Sequence, residues 1–531
     1  MTVVSWTFDM KSLEETLVVV FGLSWGFMGF VLLGSILILT VLRSIYNAFF
    51  HPLARYPGPL IWTSTFIPYK IALLKGTTHL WHAEFHRHYG PVVRVSPDQL
   101  SYISAQAWND IYGRRNPQLK KHADITASPA GGVNGMANTP SDTDHARMRR
   151  ELVSGFSERS VRMQEGLLTR HISQLVVKIR ERALDTQKEG PGTKEANMAL
   201  LLNATTYDII TDLTFGESAN TLEQETDWIS FVMPMVKARI ASHVATKYVS
   251  FFITTISSLF PVLFPSAAVK FHQSNIAALD RRLGSSADDK RPDLLTPVVP
   301  HLDEPEGFSM GQLRSTVGSL MIAGSETTAS VLTSAHYFVL SHPQVYAQLK
   351  KEVRASFERE EDINSIAVNN CKYMVAVLQE TMRIWPAIPS SLPRTSHGCF
   401  IDGNWVPNGA KVGVHQWSAY RSEVNFTRPE EFLPERWLEG ESQQFKDDNK
   451  AAFQPFAVGP RNCLGMSFAK VELRLIFARL VWNFDMELLT SREEWEAQRT
   501  YMVWDRCPLR VKVRLAQEQG EKAFETVKDM L

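Results

Sequence analysis

Three sets of residues in this chain have types and spacings that could do chemistry. The first is Cys463, within Phe-Ala-Val-Gly-Pro-Arg-Asn-Cys-Leu-Gly, residues Phe456–Gly465. Gly459 and Gly465 bracket it, and glycine permits tight turns and close approach of the backbone to a flat partner. Arg461 lies two residues before the sulfur. Met466–Leu480 follows with helical apolar spacing (Phe468, Val471, Leu475, Phe477), so Cys463 is expected in a loop entering a helix N-terminus. That end of a helix favours a thiolate over a thiol, and a thiolate ligates metal. The competing reading is a buried structural cysteine. The second set is Ala323-Gly324-Ser325-Glu326-Thr327-Thr328, a polar step inside an apolar helical stretch, where an acid and two threonines are costly unless they serve something. The third is Glu380 with Arg383, three apart at the end of a helical segment. Such pairs are often only surface ion pairs, and Glu496 and Arg499 repeat the spacing with no apparent role.

The elements that must position these residues can be read in order. Val18–Leu42 is 25 residues without a charge, beyond the roughly 20 that cross a bilayer as a helix. A signal peptide is the alternative, but the preceding segment is acidic (Asp9, Glu14 and Glu15 against Lys11), and Arg43 and Arg55 follow the span. The positive-inside rule then puts the bulk of the chain in the cytosol. Tyr56-Pro57-Gly58-Pro59 is a stiff connector. Tyr89–Val95 and Gln99–Ile103 suggest a hairpin around Ser96-Pro97-Asp98. Gly113–Thr139 reads as a long polar loop. Asp144–Phe156 is a basic helix in which His145 and Arg149, four apart, share a face, although a solvated face is the ordinary outcome of such a run.

Residues 158–182 and 198–216 read as further helices. The sequon at Asn203-Ala204-Thr205 is idle in a cytosolic chain. Phe251–Phe264 is strongly apolar but short for a span; it is either a core segment or one dipping into the membrane interface. Ser309 with Gln312 forms a capping-box start, after which a helix runs to Leu340, a rod of about 46 Å. Tyr501–Leu515 alternates and is expected to form a terminal hairpin.

Composition sets outer bounds. The chain has 531 residues and is 44% hydrophobic, enough for a large core. Lys+Arg and Asp+Glu are both 56, which gives no support to nucleic-acid binding. The four cysteines lack the spacing of a disulfide framework and fit a reducing compartment.

The pattern Phe-x-x-Gly-x-Arg-x-Cys-x-Gly resembles the haem-ligand loop of cytochromes P450. The likeness extends along nearly the whole chain: the proline-rich hinge after an anchor, Ala323–Thr328 as the oxygen-activation motif, Glu380-x-x-Arg383, and Pro434-Glu435-Arg436-Trp437 ahead of the cysteine. Ile209–Glu217 and Asp144–Arg150 are similar to fungal P450s of secondary metabolism, the isotrichodermin-hydroxylase-like branch most of all.

This resemblance implies a mainly α fold with a smaller β-sheet region, preceded by one transmembrane helix. It divides the chain into a short luminal N-terminus (1–17), an anchor (18–42), a hinge (43–59) and a catalytic domain (60–531). It implies Cys463 as axial ligand of haem b, with Phe456, Gly459, Arg461 and Gly465 shaping the loop. His145, Arg149, Arg394 and Arg461 would meet the propionates; many relatives have Trp where this chain has His145. Gly324 would pack closely, Glu326 and Thr327 would deliver protons, and Glu380, Arg383 and Arg436 would form a buried structural triad in which Trp437 replaces Phe conservatively.

The implied reaction inserts one atom of O2 into a C–H bond of a lipophilic metabolite such as a polyketide, terpenoid or alkaloid. Electrons would come from NADPH through a separate cytochrome P450 reductase, with cytochrome b5 as a further candidate partner, at the endoplasmic reticulum membrane. A basic face near Arg147 and Arg150 is expected to receive the reductase. Segment 231–265 and the Tyr501–Val503 turn would touch substrate. Two other classes stand beside this one: a haem-thiolate isomerase or dehydratase working without reductase, and a non-catalytic membrane haem protein.

Overall fold

The N-terminal apolar run forms one helix, α1 (Met10–Ile45), which widens into a π-turn at Tyr46–Phe50. In the computed structural model, residues 10–115, 117–122, 132–188, 195–226, 266–284, 293–440 and 443–516 are described, with isolated residues between 233 and 241. Phe27–Phe50 is long and apolar enough to cross a membrane. The helix continues past the expected end at Leu42 because Arg43 suits a last helical turn, where a cation complements the backbone dipole, and it lies 5.5 Å from the Tyr46 ring centre. Directly after it, the helices Leu60–Ser64, Ile67–Lys75 and Thr78–Tyr89 expose Ile61, Ile67, Ile71, Leu74 and Trp81.

A five-stranded sheet gathers segments from both ends of the chain: β1 (Val92–Ser96), β2 (Gln99–Tyr102), β3 (Lys120–Lys121), β4 (Arg394–Thr395) and β5 (Lys411–Val414), in the order β1-β2-β5-β4-β3. The β2–β5 pairing is parallel and the rest antiparallel. The hairpin around Pro97 forms as expected, and β3 lies inside the expected polar loop. Residues 116 and 123–131 of that loop, the apolar stretch Phe251–Phe264 and most of segment 231–265 lie outside the described residues.

Helices dominate the remainder. The basic helix α2 (Asp142–Val153) is capped by Ser141, which accepts the Asp144 N–H. The expected helices at 158–182 and 198–216 appear as Glu158–Met163, Glu165–Lys188 and α3 (Met198–Phe215). Asn203 is buried in α3, so its sequon is closed to modification. The capping box at Ser309 opens α4 (Met310–Ser341), 32 residues long. Helix α4 packs on α3, on α5 (Lys372–Ile384) and on α6 (Met466–Asn483).

The tail departs from expectation. Arg499–Tyr501 and Val503–Asp505 form a tight hairpin turning at Met502 (φ 87°), but Arg510–Leu515 pairs with Phe484–Leu488 and with Ala196–Asn197. Alternation reports which face of a strand is buried, not which strand it joins.

The expected triad is present and larger than expected. Glu380 has no exposed surface. Arg383 donates to it through Nε (2.9 Å) and Nη2 (2.8 Å), the Leu433 N–H through a 3.0 Å bond, and Arg436 Nε lies 3.3 Å away. Burial alone would raise the pKa of this carboxyl; Arg383, Arg436 and the Leu433 N–H together hold it below the usual value. Trp437 is not a neutral stand-in for Phe: its indole N–H donates to Glu380 Oε2 at 2.8 Å. Arg436 also pairs with Asp448. Trp437→Phe should therefore lower the unfolding free energy of the haem-loaded protein by about 1.5–3 kcal/mol, the worth of a hydrogen bond to a charged group. Arg436→Met should cost more, roughly 3–5 kcal/mol. Urea unfolding midpoints measure both.

Glu472 on α6 is a contrasting case. It is fully buried, has Thr328 of α4 as its polar neighbour, and burial pushes its pKa up to about 8. A carboxyl protonated in the fold and ionised when unfolded contributes its stability below about pH 4.5 and loses it as pH rises towards 8. Glu472→Gln should thus raise the melting temperature more at pH 8 than at pH 5, as read by calorimetry at both values.

Candidate cofactor site

The Cys463 loop is a tight return of the chain. Ala457 N donates to Gln454 O (3.0 Å), Asn462 N to Gly459 O (3.1 Å) and Cys463 N to Phe456 O (2.9 Å). Ala457 and Gly459 both take positive φ, 56° and 78°. A Cβ on Gly459 would lie 1.9 Å from the Tyr112 carbonyl oxygen, so only glycine fits where this loop crosses the earlier segment. Gly465 differs. Its φ is −86°, and a Cβ there would meet Phe156 at an ordinary 3.7 Å; its contribution is a backbone N–H bonded to the Cys463 sulfur.

The sulfur fronts open space, while protein surrounds it in most directions. Burial therefore raises the thiol pKa, outweighing the Gly465 N–H and the Arg149 guanidinium, which both favour the thiolate. Burial thus opposes the preference for the thiolate that a helix N-terminus provides. A metal cation at the sulfur supplies what the helix does not.

Beside the loop is a cavity of about 600 Å³. Among the described residues that wall it are Arg114, Arg149, Arg150, Arg394 and Arg461, against one carboxylate, Asp142. As expected, α2 presents both His145 and Arg149 to this space. Arg149 clasps the loop one residue before the cysteine, donating to Asn462 O (2.8 Å) and Oδ1 (2.7 Å). His145 is buried. Burial first, then Arg461, Lys121 and Arg149, pushes its pKa down to about 3, so at neutral pH the ring is uncharged and carries one N–H. Arg461 ties the loop to the start of α2 through Asp142 Oδ1 (2.9 Å) and the carbonyls of Thr139 (3.0 Å) and Ser141 (3.1 Å). Arg394 opens β4, buried, 5.1 Å from the Tyr112 ring centre.

Sequence reasoning missed Lys121. It stands directly opposite Arg394 across the β3–β4 ladder, a placement in which like charges repel. Burial, then Arg461 and Arg394, lowers its ammonium pKa to about 7. The Lys120-Lys121 pair lies in the expected polar loop, and nothing local distinguishes it from a solvated pair.

Arg147 is a second correction. It folds back onto the Gly307 carbonyl and Gln312 Oε1 at the start of α4. Of the two residues expected to form an open basic face, only Arg150 stays exposed, 3.7 Å from Glu306.

Helix α4 is buried on most sides through its middle, yet Leu320, Ala323, Gly324 and Thr327 are partly or fully open along one stripe. Thr327 Oγ1 donates to Ala323 O at 2.8 Å. Gly324 is a close-packing glycine: a Cβ would lie 2.7 Å from Ile210 of α3. Glu326 does not share the open stripe. It is fully buried, and Asn203 and Arg506 bond its Oε2.

The residues fit an anionic cofactor that carries its own metal. Converging cations, two of them opposed across one ladder, need negative charge between them. Among the described residues no cluster of three or more His, Cys, Asp and Glu could hold a metal ion.

The comparisons with known proteins specify the class. The family model for cytochrome P450 matches residues 54–513. Similar proteins include the cytochrome P450 monooxygenase alt3 of Alternaria solani, 36% identical over 89% of this chain and 91% of the relative. The cytochrome P450 monooxygenase efuB of Hormonema carpetanum is 36% identical over 90% and 94%, and the averantin hydroxylase of Dothistroma septosporum is 36% identical over 91% and 90%.

The chain belongs to the cytochrome P450 family. It is an oxidoreductase whose cofactor is haem with thiolate-ligated iron, and NADPH acting through a reductase is the standard electron source of the family.

If Lys121 and Arg394 each meet a haem carboxylate, Lys121→Met and Arg394→Gln should each speed haem transfer to apomyoglobin by about 10- to 100-fold, the equivalent of a charge-assisted hydrogen bond. The transfer is followed by absorbance.

Proposed function

We propose that this protein is a membrane-anchored monooxygenase that hydroxylates a lipophilic secondary metabolite, taking electrons from a separate NADPH–cytochrome P450 reductase. The observation that carries the reading is the Cys463 sulfur, open beside a cavity walled by five arginines and one aspartate. When bound there, the haem supplies oxygen activation and transfer of one oxygen atom to a C–H bond.

The chain's own residues do the rest. Cys463 holds the iron. Arg149, Arg394, Arg461 and Lys121 neutralise the two carboxylates, and His145 offers a neutral N–H donor. Gly459 and Phe456 fix the loop that aims the sulfur. Thr327 lies on the open stripe of α4, where its hydroxyl can donate a proton towards the reacting oxygen once it releases the Ala323 carbonyl. Glu326 relays protons from the buried side, taking one up and passing it on. The lipophilic substrate class is supported by the relatives, among them a hydroxylase named for averantin, and by the open apolar stripe of α4.

We assign residues 1–17 to the lumen, 18–42 to the anchor, 43–59 to the hinge and 60–531 to a cytosolic catalytic domain at the endoplasmic reticulum. Support comes from the apolar helix near the N-terminus and from Ile61, Ile67, Ile71 and Trp81 exposed directly after it.

Reduced protein exposed to CO should show the red-shifted Soret band of a thiolate haem, and Cys463→Ala should lose it. Its absence from the wild type would end the reading. With reductase, NADPH and 18O2, product should carry one labelled oxygen. Thr327→Ala and Glu326→Gln should each slow product formation by at least about 10-fold while oxygen uptake continues as peroxide, because the loss of a positioned proton donor commonly costs about 100-fold or more. Turnover without reductase would point to an isomerase instead.

A further inference from the structure

Glu326 and Thr327 are adjacent in sequence but about 100° apart around the helix. Thr327 lies on the open stripe; Glu326 is sealed. Its Oε2 accepts from Asn203 Nδ2 of α3 at 3.1 Å and from Arg506 Nη2 at 2.9 Å. Arg506 comes from the segment that follows the strand Val503–Asp505. Its side chain is only 6% exposed. Three polar atoms around this carboxylate have no hydrogen-bond partner among the described residues: Arg506 Nε, Arg506 Nη1 and Asn203 Oδ1.

Two buried donors on a guanidinium and a buried amide acceptor are not left bare in a stable fold. No side chain among the described residues reaches them, and enclosed water is a partner that would satisfy both donors and acceptor. A buried water makes about three hydrogen bonds to groups that lack partners. Donors and acceptor both present at one carboxylate are the combination such a molecule needs.

We propose that Arg506 is a positioning residue for the reaction: it holds Glu326 ionised and turned into the α3–α4 interface, and together with Asn203 it encloses internal water against that carboxylate. This rests on the reading of Glu326 as the acid that handles protons. In place of a lone buried acid, the site is then a hydrated ion pair, in which the carboxylate accepts hydrogen bonds from enclosed water behind the open stripe that carries Thr327. A purely structural Arg506 would pin the C-terminal segment to the core and leave the charge state of Glu326 to other groups.

Infrared difference spectra of the haem-loaded protein separate these cases. Wild type minus Glu326→Gln should show the bands of an ionised carboxylate. Arg506→Met minus the double variant Glu326→Gln/Arg506→Met should show the carbonyl stretch of a protonated acid, and Arg506→Lys should restore the ionised form. An ionised Glu326 persisting in Arg506→Met overturns the proposal. A double-mutant cycle on melting temperature is independent of the spectra: the double variant, with no buried charge left, should recover part of what Arg506→Met loses. A double variant that folds where Arg506→Met does not counts the same way, whereas simply additive losses count against it.

A high-resolution crystal structure of the holoprotein should place ordered water within hydrogen-bond distance of Arg506 Nε or Nη1 and Asn203 Oδ1; a dry contact overturns the water site. Product formed per NADPH should fall several-fold in Arg506→Met with peroxide rising to match, and unchanged coupling would reduce Arg506 to a structural tie. Unchanged coupling in Glu326→Gln would instead refute the acid's part in the proposed function, whatever the spectra show.

Discussion

A carboxylate with no exposed surface is tolerable only if every part of its charge is answered, and the architecture around Cys463 depends on one such group. Glu380 is answered from two directions: by Arg383 on its own helix, and by Leu433, Arg436 and Trp437 on the segment that leads towards the cysteine loop. Arg383 in turn binds the carbonyls of Tyr420, Pro429 and Glu431, so a single ion cluster fixes the irregular stretch between β5 and α6. That stretch has little regular secondary structure to hold it. Buried charge is a poor way to gain net stability, since desolvation consumes most of the attraction. It is an effective way to allow only one arrangement, because any other leaves a charge unanswered.

The cavity follows the opposite logic. There the cations outnumber the anions: five arginines wall the space with Asp142 as the one carboxylate among its described lining residues, and Lys121 stands behind Arg394. The same desolvation that Glu380 overcomes through its partners lowers the ammonium of Lys121, silences His145 and disfavours the Cys463 thiolate. All three shifts share one leading cause, burial away from water, and neighbouring cations add to it at Lys121 and His145 but oppose it at Cys463. An anionic cofactor carrying a metal cation reverses each of them at once, which makes the site specific for the charge pattern of its ligand as well as for its shape.

What could be read from sequence was whatever lies within one element or one motif. The cysteine loop, the Glu380–Arg383 pair, the capping box at Ser309, the face shared by His145 and Arg149 and the close packing of Gly324 all depend on spacings of a few residues. What could not be read was partnership at a distance. Lys121 faces Arg394 only because a two-residue strand joins the sheet edge. Asp448 meets Arg436, and Trp437 turns its N–H to Glu380, through folds of an irregular chain. Arg506 reaches Glu326 from 180 residues away. The terminal strand was misassigned for the same reason: alternation predicts burial and is silent about the neighbour. Arg147 shows the converse limit, since a basic residue on a helix is exposed by default and only the packing of α2 against the start of α4 shows otherwise.

The crossing of Gly459 with the Tyr112 carbonyl joins residues about 350 positions apart, and the cation wall likewise draws on residues near 120, 149, 394 and 461. On the ribosome these segments emerge at widely separated times. The N-terminal apolar helix and the segment around residue 112 are made long before the loop that crosses residue 112 exists. The pocket therefore cannot mature progressively around its ligand. It can close only after the chain has been made through the cysteine loop. Cofactor supply to a chain complete through this loop thus becomes a condition on the yield of active protein that is separate from the stability of the finished fold.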